Sequence, residues 1–260
     1  MLAAELPGSG VVVTGAGSGI GAALARRFAA EGARVVVNDI DPLRAREVAA
    51  QVGGIALAGD AASEPGVAQL VSSAREELGE IDLYCANAGE AAGGGEAAAE
   101  PDWERSWQVN VMAHVRAARV LVGPWLERGR GHMIATVSAA GLLTMLGAAP
   151  YSVTKHAALG FAEWLSATYR HRGITVQALC PQGVRTPMLE ATGEIGQLIL
   201  GESAIEPEAV AACVIGALGD GQFLILPHPE VAQMYARRAA DTDRWLTSMN
   251  KLQRRVSGEH

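Results

Sequence analysis

The 260-residue chain is poor in aromatic side chains, in lysine and in cysteine. Aromatic residues make up only 5% of it, so the apolar volume comes mainly from Ala, Val, Leu and Ile, as is usual where helices pack on a sheet. The three cysteines, Cys85, Cys180 and Cys213, are odd in number and widely spaced. This pattern argues against a disulfide framework or a cysteine zinc site and predicts reduced thiols. The only two lysines are Lys155 and Lys251.

Long apolar runs and a signal peptide are also absent. No run reaches the roughly 20 residues that span a bilayer, and the first ten residues carry Glu5 and Pro7 but no basic segment. The net charge of -7 disfavours nucleic acid or an anionic membrane surface as the main partner. We therefore expect a soluble cytoplasmic protein with no nucleic-acid or membrane partner.

Short apolar segments alternate with segments of helical periodicity along most of the chain. Near-continuous apolar strands in this order are typical of a parallel sheet that helices cover on both faces. The predicted strands cover residues 11–13, 35–37, 55–58, 81–85, 133–137, 174–179 and 223–226. Long helices are predicted over 65–78, 103–126, 151–169 and 206–218. The sequence thus predicts an α/β fold with a doubly wound parallel sheet, as one domain over residues 1–229 with a helical tail over 230–260.

A glycine-rich segment, T-G-A-G-S-G-I-G over residues 14–21, follows the first predicted strand and opens a helix. Glycines there let a pyrophosphate approach the backbone, and the helix N-terminus supplies unpaired N–H groups. Asp39 ends the second strand, where a carboxylate can accept hydrogen bonds from an adenosine ribose and repel a 2′-phosphate. These features favour NAD over NADP. The alternatives are a plain strand-to-helix turn and an Asp39 that only caps the next turn.

Tyr151 and Lys155 are spaced i and i+4, which places a phenol and an ammonium on one helix face. Ser138 follows the 133–137 strand. Because ligands of open parallel sheets bind at the carboxyl ends of the strands, Ser138 and the glycine turn are expected at one edge of the sheet.

The chain up to about residue 226 resembles the short-chain dehydrogenase/reductase family, whose fold is a single-domain, Rossmann-type NAD-binding fold. Its T-G-x-x-x-G-x-G matches the glycine turn, and Asn110, Ser138, Tyr151 and Lys155 match its catalytic tetrad in order. Where the family commonly has P-G-x-V-x-T, the chain has Gln182 in place of the first glycine. The cofactor-binding residues that the resemblance implies are Gly15, Ser18, Gly19, Ile20, Gly21, Asp39, Asp60, Ala61, Asn87, Ala88, Gly89, Tyr151, Lys155, Pro181, Gly183, Val184 and Thr186.

The resemblance also implies a role for each residue of the tetrad. Tyr151 exchanges the proton of the alcohol as general acid and base, and Lys155 favours its phenolate and holds the nicotinamide ribose. Ser138 hydrogen-bonds the substrate oxygen, and Asn110 positions a water in a proton relay. This chemistry needs no metal, and the sequence has no metal-ligand spacing. The family also implies a homodimer or homotetramer formed through the 103–126 and 151–169 helices.

The segments expected to face the substrate are apolar and contain no cluster of arginines for an anionic group. They predict a largely apolar secondary alcohol or ketone as substrate. The residues concerned are Leu142, Leu143, Met145, Leu146, Met188, Leu189, Ile195, Leu198 and Ile199. In the tail, Trp245 and Met249 are expected either to cover the substrate site or to pack on the outer surface.

The sequence therefore predicts an oxidoreductase that transfers a hydride between NAD and an apolar secondary alcohol. Two alternatives stay open: an NADPH-linked ketoreductase, against which Asp39 argues, and a catalytically silent module that senses dinucleotides.

Overall fold

Seven parallel strands form one sheet in the order β3-β2-β1-β4-β5-β6-β7. The computed structural model describes residues 3–193, 196 and 200–258, so Ile195, Leu198 and Ile199 lie outside the described residues. The strands are β1 (Gly10–Val13), β2 (Arg34–Val37), β3 (Ile55–Ala56), β4 (Leu83–Ala86), β5 (Gly131–Thr136), β6 (Ile174–Leu179) and β7 (Leu224–Ile225). Each predicted strand coincides with one of these, with ends that differ by at most two residues.

Helices connect the strands and continue beyond the last of them. The α-helices of the described residues are α1 (Gly19–Ala30), α2 (Pro42–Val52), α3 (Glu64–Leu78), α4 (Glu100–Trp107), α5 (Ala113–Glu127), α6 (Ala140–Leu143), α7 (Ala149–Tyr169), α8 (Pro187–Glu190), α9 (Pro207–Ala217), α10 (Glu230–Ala240) and α11 (Thr242–Ser257). None of these helices is long and apolar enough to cross a membrane.

Each face of the sheet carries one layer of helices. Helices α3, α5 and α7 pack apolar side chains such as Val67, Leu121 and Leu165 on one face. Helices α1, α2 and α9 pack Leu24 and Val214, among others, on the opposite face. Because neighbouring side chains of a strand point to opposite faces and helices cover both faces, most strand residues are apolar. The doubly wound α/β fold predicted from the sequence is confirmed, as a single domain with helices at its C-terminal end.

The direction of winding reverses between β1 and β4. The chain first moves outward from β1 to β2 and β3, and then returns to place β4 on the other side of β1. At such a switch point the loops after the two strands diverge and leave a crevice at the carboxyl edge of the sheet. The crevice lies between the glycine turn after β1 and residues 87–91 after β4.

One predicted helix is not continuous. The segment predicted as a single helix over 103–126 consists of α4, a π-helix at Gln108–Met112, and α5. A π-helix holds one more residue per turn than its α-helical neighbours and is frequent at functional sites. Asn110 lies in the middle of it. The tail resolves into two helices, α10 and α11, with α10 beginning at Glu230.

Candidate active site

A cavity of about 1250 Å³ opens at the carboxyl edge of the sheet, over the switch point. The glycine turn and the ends of β2 and β3 form one half of its wall. The loops after β5 and β6, α8 and the two tail helices form the other half. Every residue predicted for catalysis or cofactor binding lines this cavity except Asn110, which lies behind the wall.

The glycine turn approaches its neighbours too closely for larger side chains. Gly15 has φ of +62°, and a Cβ on it would come within 2.9 Å of the Ala88 backbone. A Cβ on Gly21 would meet the Gly15 carbonyl and lie 2.6 Å from the Asn87 amide nitrogen. Asn87 Nδ2 donates to the Thr14 carbonyl at 2.9 Å, and this bond joins the loop after β4 to the turn. The turn therefore presents bare backbone to the cavity, which is the surface that a pyrophosphate requires.

Asp39 is fixed beside the glycine turn by two backbone donors. Its Oδ2 accepts from the Gly17 N–H at 2.9 Å and its Oδ1 from the Asp41 N–H at 3.0 Å. Asp41 is the residue that caps α2, through bonds from Leu43 and Arg44. Asp39 therefore does more than cap the next turn, since its carboxylate also accepts from the glycine turn and lines the cavity.

Asp60 and Ala61 form the far end of this half of the cavity. The Asp60 carboxylate accepts from the backbone N–H groups of Ala62 at 2.7 Å and Ser63 at 3.2 Å. Partial burial by itself raises the pKa of Asp60, but these hydrogen bonds, with the charge of Arg116, outweigh it and hold the pKa below its usual value. The carboxylate is therefore ionised and ordered at neutral pH.

Ser138, Tyr151 and Lys155 meet at the centre of the cavity. The Ser138 side chain lies beside Tyr151, and Lys155 Nζ lies 5.6 Å from the centroid of the Tyr151 ring. Burial raises the pKa of Tyr151, and the neighbouring Ser138 hydroxyl opposes that rise. Burial lowers the pKa of Lys155 to about 8, while its ammonium donates to the Thr136 carbonyl at 3.0 Å. The arrangement brings a phenol, a hydroxyl and a cation to one point.

The side chain of Asn110 is fully hydrogen-bonded. Its Oδ1 accepts from the Glu90 N–H at 3.1 Å, and its Nδ2 donates to the Glu90 carbonyl at 3.0 Å and to Thr154 Oγ1 at 3.1 Å. Asn110 therefore ties the loop after β4 to α7, the helix that carries Tyr151 and Lys155.

The loop after β6 closes the cavity floor. Thr186 caps α8, and its Cγ2 lies 2.9 Å from the position of a Cβ on Gly19, so the loop contacts the glycine turn. The unusual Gln182 donates its backbone N–H to Nδ1 of His228 at 3.1 Å. His228 is 3% exposed, and its Nε2 lies 3.3 Å from the Ser203 carbonyl. Sequence reasoning missed this contact, because residues 182 and 228 are joined only by the tertiary fold.

The other half of the cavity is mainly apolar and includes the tail. Trp245 and Met249 line it within the same chain, so the alternative of a tail on the outer surface is wrong. Of the described residues predicted to face the substrate, Leu142 is instead buried in the core. The apolar wall residues are Leu143, Met145, Leu146, Met188, Leu189, Leu200, Met234, Trp245, Met249 and Leu252.

Two arginines, Arg237 and Arg244, also line this half of the cavity. The prediction that the substrate-facing segments contain no cluster of arginines considered only the loops after the strands, so it did not include these two residues of the tail. No local pattern predicts that both line the cavity, because Arg237 and Arg244 lie on two different helices, α10 and α11, which meet at Asp241.

The predicted site holds no cluster for a metal. Over residues 3–193, 196 and 200–258, no group of three or more His, Cys, Asp and Glu side chains is placed to hold a metal ion.

Comparison with known proteins identifies the family and the fold. A family model described as short chain dehydrogenase matches residues 9–195. The chain is 39% identical over 229 residues to 1-deoxy-11-beta-hydroxypentalenate dehydrogenase of Streptomyces exfoliatus, an alignment covering 84% of this chain and 82% of the relative.

Two solved structures are similar over most of their length. A short chain dehydrogenase/reductase from Burkholderia phymatum, in complex with NAD, superposes with a TM-score of 0.83 at 28% identity, covering 92% of this chain and 95% of that one. Actinorhodin polyketide ketoreductase with NADPH superposes with a TM-score of 0.77 at 29% identity, covering 87% and 97%. The chain belongs to the short-chain dehydrogenase/reductase family and is an oxidoreductase that transfers a hydride between a nicotinamide dinucleotide and an alcohol or ketone.

Proposed function

We propose that this protein is an NAD-dependent dehydrogenase of a largely apolar secondary alcohol, with Tyr151 as the general acid and base. The observation that carries the choice of NAD is the Asp39 carboxylate, held 2.9 Å from the Gly17 N–H inside the cavity. A carboxylate there accepts hydrogen bonds from ribose hydroxyls and repels a 2′-phosphate. The Burkholderia relative bound to NAD and the hydroxypentalenate dehydrogenase support this proposal.

An NADPH-linked ketoreductase is the second candidate, and one observation favours it. Arg44 lies against the glycine turn, where a Cβ on Gly17 would come within 2.6 Å of the Arg44 Cβ. The related actinorhodin ketoreductase was solved with NADPH. However, Arg44 lies 3.4 Å from an Asp41 oxygen, and this carboxylate together with Asp39 outweighs its charge.

The residues of the first half of the cavity fit a dinucleotide. In this proposal the bare backbone of the glycine turn holds the pyrophosphate, Asp39 the adenosine ribose, and Asp60 with Ala61 the adenine. When bound, the oxidised nicotinamide supplies the hydride acceptor. The remaining cofactor contacts are proposed for the Asn87–Ala88–Gly89 segment and for Pro181, Gly183, Val184 and Thr186.

The protein's own residues handle the proton. Tyr151 takes the hydroxyl proton of the alcohol, and Ser138, which lies beside Tyr151, donates to the substrate oxygen. Burial favours the neutral phenol, so the phenolate needs a nearby cation. Lys155 supplies that charge, since its ammonium is held by the Thr136 carbonyl near the Tyr151 ring. Asn110 holds α7 in register with the loop after β4 through its hydrogen bonds to Glu90 and Thr154.

The test is a rate measurement with a matched control. NAD and NADP are each offered with a panel of alicyclic and long-chain secondary alcohols, and nicotinamide absorbance is followed. We expect the wild-type enzyme to turn over with NAD. In Tyr151→Phe the rate is expected to fall at least about 100-fold, because a positioned general acid and base usually contributes a rate factor of this size. Tyr169→Phe, on the same helix, is the control. Unchanged turnover in Tyr151→Phe contradicts the mechanism. Tight NADH binding without turnover across the panel favours the sensing module.

A second variant tests the cofactor. Asp39→Asn keeps an acceptor oxygen but removes the charge, so it is expected to raise the ratio of kcat/KM for NADP to that for NAD by about ten-fold or more, the effect of one close charge. Wild-type enzyme that uses NADP better than NAD would overturn the choice of cofactor.

We also propose a cytoplasmic homodimer or homotetramer that assembles through α5 and α7. Trp164 and Val153 on α7 are 56% and 49% exposed, an apolar surface suited to a subunit interface. Sedimentation of Trp164→Glu tests it, with Leu43→Glu on α2, also exposed, as the control. An unchanged assembly in Trp164→Glu contradicts this interface. The three free cysteines suit a reducing compartment.

A further inference from the structure

The substrate half of the cavity contains two guanidinium groups that have no partner in the described part of the chain. Arg237 lies in the last turn of α10 and Arg244 in the first turn of α11, and both line the cavity. Neither side chain forms an ion pair or a hydrogen bond with the residues that the structure describes. Both are exposed to the cavity mouth rather than packed under other side chains.

The guanidinium groups of Arg237, Arg238 and Arg244 outnumber the nearby carboxylates of Asp241 and Asp243. Among the described residues of the tail, Asp241 is the only one with a carboxylate on the cavity wall. It caps α11 by accepting a hydrogen bond from the Arg244 N–H at 2.9 Å. Arg238 adds a third guanidinium beside them and donates to His156 Nε2 at 3.0 Å.

The other wall carboxylates are engaged elsewhere. Glu90 is paired with Arg105 at 2.5 Å, and Asp39 and Asp60 accept backbone N–H groups in the cofactor half. The tail side of the cavity therefore favours an anion, although the cavity as a whole also holds acidic groups.

The surroundings of the two arginines are apolar. Trp245, Met249 and Leu252 of the same helix line the wall beside Arg244, and Met145 and Leu146 line it from the loop after β5. Arg238 lies 5.2 Å from the centroid of the Trp245 ring, a cation–π contact that holds α10 and α11 together. A ligand that fills this half thus meets apolar side chains along its body and guanidinium groups at its end.

We propose that the substrate is an apolar secondary alcohol, or its ketone, that carries a carboxylate remote from the reacting carbon, and that Arg237 and Arg244 bind this carboxylate. The inference rests on the proposed function, because it assumes that hydride transfer occurs at Tyr151 in the same cavity. A guanidinium presents a planar fork of donors that matches the two oxygens of a carboxylate. A phosphate monoester presents the same chemistry, so the experiment must separate the two.

The experiment uses one set of alicyclic secondary alcohols in three forms: the hydroxy carboxylic acid, its methyl ester, and an analogue with a phosphate monoester in place of the carboxylate. Oxidation by the full-length enzyme is followed with NAD. In parallel, calorimetry measures binding of each form to the enzyme with NADH. We expect the acid to have the highest kcat/KM and the tightest binding.

Variants of the arginines separate this inference from the proposed function. Arg237→Gln and Arg244→Gln are each expected to lower kcat/KM for the hydroxy acid about ten-fold, mainly by raising KM. Loss of one charge-assisted hydrogen bond has an effect of this size. Oxidation of the ester is expected to stay unchanged. Arg254→Gln, on α11 but not on the cavity wall, is the control.

Each other outcome has a definite meaning. The carboxylate site is overturned if the wild-type enzyme binds acid and ester equally, or if the arginine variants bind both forms more weakly to the same extent. Either result leaves the dehydrogenase proposal intact. Tighter binding of the phosphate form overturns the carboxylate in favour of a phosphate. If none of the alcohols is oxidised but the acid binds in an arginine-dependent way, the anion site stands and the proposed function fails.

Discussion

Two buried histidines are expected to make the fold sensitive to mild acid. His114 and His132 are each 1% exposed. Neither ring nitrogen of His114 has a hydrogen-bond partner among the described residues, and His132 has one, between its Nε2 and Gln177 Oε1 at 2.9 Å. Burial lowers the pKa of both to about 3, and the charge of Lys155 adds to the effect at His114.

The sign and size of the effect follow from proton linkage. An unfolded histidine titrates near pH 6.5, so between about pH 3 and 6.5 the unfolded chain binds more protons than the folded one. The free energy of unfolding therefore rises with pH in this window. The stability that the two histidines contribute is lost as the pH falls through the same window. Each histidine contributes a slope of up to ~1.4 kcal/mol per pH unit, or ~2 kcal/mol between pH 7.5 and 5. Asp60, whose folded pKa is also lowered, loses its contribution only near or below pH 4.

The assay is urea unfolding followed by tryptophan fluorescence between pH 7.5 and 5, with five tryptophans as probes. His114→Leu is expected to remove about half of the pH slope while leaving stability at pH 7.5 nearly unchanged or higher, since it removes two unpaired polar atoms. His171→Leu, at an exposed position, is the control. A slope that stays the same in His114→Leu refutes the assignment of acid sensitivity to this histidine.

Three further predictions concern the cavity. In Gly17→Ala the new Cβ would lie 2.7 Å from Asp39 Oδ2, a clash that is expected to weaken NADH binding at least ten-fold. Fluorescence titration measures this, and unchanged binding contradicts the prediction. His228→Ala removes the acceptor of the Gln182 N–H and should cost about 1–3 kcal/mol of unfolding free energy and raise KM for NAD. Partial rescue by His228→Asn is expected, and equal effects of both variants refute a positioning role. Trp245→Ala should raise KM for bulky alcohols in steady-state assays but leave KM for NAD unchanged, because its ring lines only the substrate half; a parallel rise in both would contradict it.

Much of the fold could be predicted because burial on both faces leaves its signal in every strand. Runs such as Val11–Val13 and Ile174–Leu179 need no knowledge of their neighbours to be recognised. The glycine turn and Asp39 were also visible, since the backbone conformation and charge they provide are properties of single residues. Their placement along one cavity wall agrees with that expectation.

Other features depend on contacts between distant parts of the chain. No local sequence pattern predicts the hydrogen bond between Gln182 and His228. The exposure of Arg237 and Arg244 to the cavity depends on how the tail packs on the domain. The π-helix at Gln108–Met112 was not predicted, because five residues are too few to distinguish its period from that of an α-helix. For the same reason the hydrogen bonds that hold Asn110 behind the wall could not be foreseen.

The π-helix makes this part of the protein sensitive to chain length. Because a π-helix holds one more residue per turn than an α-helix, deletion of one residue from Gln108–Met112 would allow an unbroken α-helix from α4 to α5 whose two flanks keep their faces. The widened turn that carries Asn110 would be lost, and with it the hydrogen bonds of Asn110 to Glu90 and Thr154. Gene variants in this stretch are therefore expected to change the identity of residues far more readily than their number.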